Sequence, residues 1–513
     1  MKRFFVLLLG LCMATGSYAT TKTVGKSGAQ FTSIQAAINS FTLAQLTDGE
    51  ADVVEIIDGA EYDEQVVLGG LPPIHTASPG FLEVIDAQNR DPFTLRGADP
   101  NNRPKINPVA ADPVSYGVFN DDLDDNYIAT LSFYGKNLTV ENIEILQASM
   151  IDGDQYGMNG QAHNAVFNNV LFAHDDVVSP GEALINFNNA VDAAGRGVDN
   201  TYTFNNCEFN GAVGDQRGNV DAIYFHGYSQ GDANSAGVNL AEVPFRATFN
   251  NCVFSNNNTG MIIRGRDQAN HIVVQNSYIT TSLHGLSASG KGTFTVDSCI
   301  FHNNLTQAGD EGQAAGALRT VGRSGFTPAL TVKNSLFVDN MNSSVFQGTF
   351  GVNTKSSAIR IQNDGNDPDI TIENNTFVNN PIAIRFVDTA GRPRNAAINN
   401  NIFQGGNVAV LTADEAGGSY FDSPDGADDN LVQNLKVSGS GNVFDGNNVI
   451  VEDSAQLPNV NLGGSTSSVT FNHPFINTAD PFEGPPYTVA SGADANVGAN
   501  LGAETAIGDF MLY

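Results

Sequence analysis

One short unit recurs along most of this chain: an apolar residue, a polar one, Asn, a small residue, a polar one, then Phe or Ile. It reads LTVENIEI at 138–145, AVFNNVLF at 165–172, YTFNNCEF at 202–209 and ATFNNCVF at 247–254. Further copies are IVVQNSYI at 272–279, FTVDSCIF at 294–301, LTVKNSLF at 330–337, ITIENNTF at 370–377 and AAINNNIF at 396–403, with a weaker GSGNVF at 439–444. Taking Asn142, Asn169, Asn206, Asn251, Asn276, Ser298, Asn334, Asn374, Asn400 and Gly441 as equivalent, the steps are 27, 37, 45, 25, 22, 36, 40, 26 and 41 residues. Steps of 22–27 residues match one coil of a parallel β-helix, and the longer steps match a coil with an inserted loop. No leucine-rich consensus and no paired helical period is present.

Period-two alternation on either side of a corner makes physical sense of the unit. In YTFNNCEF, Phe204, Cys207 and Phe209 are expected inside, and Thr203, Asn205 and Glu208 outside. The corner falls at Asn206, because Asn tolerates left-handed backbone and bonds locally. Stacked coil on coil, such Asn side chains are expected to form a ladder. Phe209, Phe254, Phe301, Phe337, Phe377 and Phe403 are expected to stack likewise, consistent with 32 Phe and no Trp. Cys207, Cys252 and Cys299 share one repeat position, which makes them buried rungs rather than a disulfide framework or a zinc site.

The ends differ from the middle. Lys2 and Arg3, the apolar run Phe4–Ala14 and Ser17-Tyr18-Ala19 have the form of a secretory signal, residues 1–19, so an extracellular or cell-surface location is expected. Beyond it 55 acidic residues face 24 − 2 = 22 basic ones, a balance of −33 that disfavours nucleic acid and anionic membranes as partners. Residues 20–90 are read as an N-terminal cap and first coils, with a short amphipathic helix in Phe31–Ile38. Residues 91–445 carry the repeats with their loops, and 446–513 the last coils and a closing segment over the C-terminal end. The fold class is therefore all-β: a single-stranded, right-handed parallel β-helix of roughly 12 coils with an N-terminal capping helix.

The opening, Thr23-Val-Gly-Lys-Ser-Gly-Ala-Gln-Phe-Thr-Ser-Ile-Gln-Ala-Ala-Ile38, followed by Val53–Ile57 and Gly59-Ala-Glu-Tyr62-Asp-Glu64, resembles that of the pectin methylesterases. Those enzymes share it with other pectin-lyase-like β-helix proteins, so the resemblance implies the fold before the reaction. Followed coil by coil, it places Gln155 before one repeat, Asp175 and Asp176 after it, and Asp215 after the next. Carboxylates on adjacent coils project from one face about 5 Å apart. That arrangement suits a nucleophile and a general acid acting on an ester, with Gln donating to the oxyanion. The motifs depart from the family's at His174 and Gly214, and Asp221 in VDAIYF is a second candidate for the later carboxylate.

Other chemistries stay open on the same chain. A β-helix lyase abstracts a sugar C5 proton with an Arg or Lys base while Ca²⁺ neutralises the uronate. Arg264 and Arg266 after Met261–Ile263 are the candidates, with Arg319, Arg323, His271, His284 and Lys291 nearby. A glycosidase needs paired carboxylates, which so many Asp residues supply in any arrangement. Ca²⁺ candidates are the loop at 121–125, Asp364, Asp367 and Asp369, and Asp422, Asp425 and Asp428. Tyr224 and His226 are candidates for sugar contact. The leading expectation is a secreted protein that binds or modifies polysaccharide, including polyuronates. Its rival is a noncatalytic surface or matrix protein whose function is its long acidic shape.

Overall fold

The computed structural model describes residues 19–42, 44–68, 91–108, 128–146, 155–174, 183–187, 200–211, 220–227, 239–264, 266–282, 284–304, 316–322, 325–340, 357–363, 368–388, 394–406, 408–411, 435–447, 449–451, 460–471, 489–491, 493 and 497–499. Each coil carries three strands, as in Asn200–Asn205, Glu208–Asn210 and Asp221–His226. The first pairs in parallel with Phe245–Asn250 of the next coil, the second with Val253–Ser255 and the third with Thr259–Arg264. Repeated along the chain, these pairings make three faces, called sheets I, II and III in coil order. Among the described residues sheet II has 13 strands, and sheets I and III form one assembly of 24 because two long strands, Ile128–Glu141 and Gln155–Asn168, run through both. Those two strands bend at Asn137 and Asn164, both at positive φ. The chain is thus a parallel β-helix, with the right-handed sense that parallel crossovers take.

Stacking of identical positions fills the interior. Phe209 lies 4.6 Å from Phe254 at 13°, and Phe337 is 4.6 Å from Phe301 and 5.0 Å from Phe377. Phe204 stacks on Phe249 at 4.9 Å in a second column. The three cysteines are free and buried. Cys207 and Cys252 meet, and burial, then Cys207, push the Cys252 thiol well up.

The corner residues Asn142 to Asn400 are all left-handed, with φ of 50–56°, as a sharp bend requires. The fully enclosed amide ladder, however, sits one residue later than expected. Asn401 Oδ1 accepts from Asn375 N at 2.9 Å and from Asn375 Nδ2 at 3.1 Å, and Asn401 Nδ2 donates to Ile372 O and to Asn442 Oδ1. Turn asparagines such as Asn206 and Asn251 make a looser external ladder, with Asn251 Nδ2 donating to Asn206 Oδ1 at 3.1 Å. The reason is direction: the corner points its αL side chain out, and the next residue points in. A second left-handed corner, at Asn256, Thr281, Asn303, Asp339 and Asn379, follows sheet II. Behind it Asn304, Asn340 and Asn380 form another buried ladder.

Helix Ile34–Asn39 buries Ile34, Ala37 and Ile38 in the core and touches strands 21–24, 52–56 and 66–68 of the first turn. Glu64 holds its N-terminus: Oε2 accepts from Ser33 Oγ at 2.6 Å and Gln35 N at 3.0 Å, and Oε1 from Ile34 N at 2.7 Å. Tyr62 donates its hydroxyl to Asp58, whose other oxygen accepts from Lys26 N. The Gly59–Glu64 segment that carries the family resemblance is thus a staple of the fold.

Described parts of the tail lie along the outer face of sheet II. Val469, Phe471, Ala493, Val497 and Ala499 pack with the outward apolar stripe Ile300, Leu336, Val378, Ile402 and Val443. Ala499 N donates to Thr376 Oγ1 at 2.9 Å. The tail therefore folds back over a side rather than only across the last coil, because that stripe is the apolar surface left to bury.

Two outcomes follow from this packing. Asn401→Ala removes bonds within a dry ladder and is expected to cost roughly 2–4 kcal/mol by denaturant titration. Asn399→Ala, on the outer face, is expected to cost under about 0.5 kcal/mol. Glu64→Ala is expected to destabilise the N-terminal turn by about 2 kcal/mol, read as faster hydrogen exchange over residues 34–39 and 52–56.

Candidate functional site

Sheet III gathers the chemistry-bearing side chains. Its inward row is aliphatic, through Met261, Leu286, Leu318, Ile359 and Ile384. The outward row beside it runs in register through Tyr224, Ile262, Ser287, Arg319, Arg360 and Arg385. Three arginines therefore stack on consecutive strands at about 4.8 Å per step. They are 9 %, 1 % and 1 % exposed, so Arg319 is the open end of the column. Arg319 Nε donates to Ser287 Oγ at 2.8 Å, and Arg360 Nη1 donates to Gln362 Oε1 at 3.0 Å. Each arginine also has further polar or electrostatic contacts.

His284 opens the strand that carries Ser287. It is 6 % exposed, and its Nδ1 is buried with no hydrogen-bond partner among the described residues. Burial, then the charges of Arg319 and Arg360, pull its pKa from 6.5 down to about 3. The imidazole is neutral beside a cationic column. Gly316 begins the adjacent strand, where a Cβ would lie 2.8 Å from Leu318 O, 3.2 Å from Arg360 Cβ and 3.4 Å from Arg319 Cβ. Glycine leaves the space that the arginine stems occupy.

Of the residues singled out from sequence, Asp221 and Tyr224 lie on this sheet. Asp221 Oδ1 accepts from Thr259 N and Asn258 Nδ2, both at 3.0 Å, which ties it to the turn of the next coil. Tyr224 is half-buried in the arginine row, three strands or about 14 Å from Arg319. Backbone register sets His226 opposite Arg264, and Arg264 opposite Ser289. The backbone of Gln155 pairs with Ile128, two strands from Asp221. Arg266 leaves the sheet, and its carbonyl accepts from Lys291 N. Asp175, Asp176 and Asp215 lie outside the described residues, as do Asp364, Asp367, Asp422, Asp425 and Asp428. Asp369 is exposed at the start of a sheet I strand. Among the described residues no three His, Cys, Asp or Glu side chains gather as a metal site; the loop at 121–125 also lies outside them. No helix among them is long and apolar enough to cross a membrane.

Arg360 and Arg385 were not singled out from sequence, although a signal exists. Ala317-Leu-Arg319, Ala358-Ile-Arg360 and Ala383-Ile-Arg385 repeat a small–aliphatic–Arg triplet at steps of 41 and 25. Those steps track the corner steps of 40 and 26 between Asn334, Asn374 and Asn400.

No family model and no curated protein matches the chain. Among solved structures it is similar to the catalytic domain of a GH87 α-1,3-glucanase in complex with tetrasaccharides, at 10% identity and a TM-score of 0.47, covering 86% of this chain and 68% of that one. It is also similar to pectate lyase Pel9A, at 13% and 0.38, covering 75% and 80%. A third is pectin methylesterase PemA from Erwinia chrysanthemi, at 12% and 0.28, covering 68% and 80%. At scores this low the fold rests on the strand pairing itself.

The unfolded chain takes up a proton at His284 near pH 6.5, whereas the folded chain holds it neutral to about pH 3. Its contribution to stability is therefore full above pH 6.5 and declines as pH falls toward 3. Between pH 6.5 and 5 the wild type is expected to lose about 2 kcal/mol more than His284→Gln, measured by denaturant titration at each pH.

Proposed function

We propose that this is an extracellular protein that binds or modifies polysaccharide at the outer face of sheet III, with an anionic chain such as a polyuronate as its ligand. The observation that carries the reading is the arginine column. Three guanidinium groups at one-coil spacing, in a protein of net charge −31, concentrate positive potential on one face. Arginine forks match carboxylate oxygens, and charges held away from water are weakly screened by salt. Arg319 is the contact residue of this reading, with Arg360 and Arg385 sustaining the field behind it. Half-buried Tyr224, further along the row, offers a ring to a sugar face. Export is supported by the charged start, apolar run and small-residue site of residues 1–19.

Affinity electrophoresis on polygalacturonate, alginate and a neutral β-glucan, with and without Ca²⁺, tests the reading. Wild type is expected to be retarded by a polyuronate. Arg319→Met is expected to weaken that binding roughly 10–100-fold while far-ultraviolet circular dichroism stays unchanged. Retardation by neither polyuronate, or equal retardation of the variant, would sink the assignment of this face. Release of unsaturated ends from the bound polymer, or of methanol from methyl-esterified pectin, distinguishes lyase from esterase action.

A further inference from the structure

A different face carries a second feature. On sheet I the central outward row holds Thr or Val on every coil from Thr94 to Thr371. It then shortens to Ala397 and Ser438. The row beside it runs Asp369, Asn395, Lys436 in register. Where the side chains shorten, a groove of about 610 Å³ opens, lined by these residues and the strand backbone beneath them. Asp369, Asn395, Lys436 and Ser438 are exposed, and Thr371 and Ala397 are half-exposed.

We infer that this groove is a binding site for a neutral, hydroxyl-rich glycan, separate from the arginine face. The inference rests on the polysaccharide reading above and deepens it. Asp369 and Lys436 stand two strands apart, about 10 Å. With one carboxylate and one ammonium, the lining itself favours neither sign of ligand. The hydrogen-bonding groups instead suit sugar hydroxyls: a carboxylate that accepts, an ammonium that donates, and an amide and two hydroxyls that do both. Ala397 sets a methyl floor between Thr371 and Ser438, against which the C–H face of a pyranose packs. A small apolar floor with a few convergent polar groups is the usual composition of a small-ligand site. The glycan lies across the coils, which lets one chain span this groove while charged polymer occupies sheet III.

The test is saturation-transfer NMR and calorimetry on the full chain with cellohexaose, maltohexaose and mannohexaose. At least one is expected to bind wild type. Ala397→Trp fills the floor from the solvent side and is expected to weaken that binding at least about 10-fold, and Asn395→Ala to weaken it less. Both variants are expected to keep wild-type polyuronate retardation, and Arg319→Met to keep neutral-sugar binding. Absence of binding by all three sugars overturns the inference, as does unchanged binding by Ala397→Trp. Loss of neutral-sugar binding in Arg319→Met also overturns it, by placing the sugar on sheet III. Wild type that binds a neutral sugar but no polyuronate would overturn only the sheet III assignment.

Discussion

From Asn142 on, the described coils turn sharply into sheet II through a residue in left-handed backbone, and from Asn256 on a second such corner follows sheet II. Asparagine dominates those corners because its short amide tolerates positive φ and finds local partners. The residue after the corner then points inward, where it must be apolar or satisfied by the coils on either side. Ile143, Val170, Cys207 and Cys252 take the first solution, and Asn375, Asn401 and Asn442 the second. The change along the axis has a cost structure. An apolar rung stands alone, whereas an amide rung needs amide neighbours, since a half-satisfied buried network is worse than none. That dependence explains why the asparagines occur as an uninterrupted run.

The same stacking rule lays out the outer faces. Backbone pairing brings equivalent positions of successive coils into columns, so a residue repeated at coil spacing becomes a stripe whatever loop lies between. Arg319, Arg360 and Arg385 are separated by steps of 41 and 25 residues yet stand on adjacent strands. Stacking buried like charges is unfavourable in isolation, and here Arg319 and Arg360 donate hydrogen bonds to Ser287 and Gln362 beside them. His284 responds by staying neutral. On sheet I the same rule yields a β-branched column, and a groove where that column narrows at Ala397. On sheet II it yields an apolar stripe that the tail covers.

The opening segment illustrates how resemblance and function separate. Tyr62 and Glu64, which carry much of the likeness to pectin methylesterases, are occupied in anchoring Asp58 and the first helix. They fix how the helix begins. Asp221, placed from sequence among the catalytic candidates, has one carboxylate oxygen committed to the Thr259 turn. The residues that concentrate charge on that face come from a different triplet, Ala-aliphatic-Arg, on the third strand of later coils.

Much of the architecture was legible in the chain alone. Phe stacking, the in-and-out alternation of YTFNNCEF and the αL corners all follow from a local repeat, and local repeats report directly on a fold in which each coil contacts only its neighbours. A signal for the second corner also exists, in the Asn-Asn, Thr-Ser and Asp-Asn pairs that follow the sheet II strands from 253–255 to 376–378. What only the tertiary structure decided is register across loops of unequal length. Which arginine faces which, whether the amide ladder sits on the corner or just past it, and where the tail lies depend on which strands pair. A one-residue slip would turn every such side chain to the opposite face.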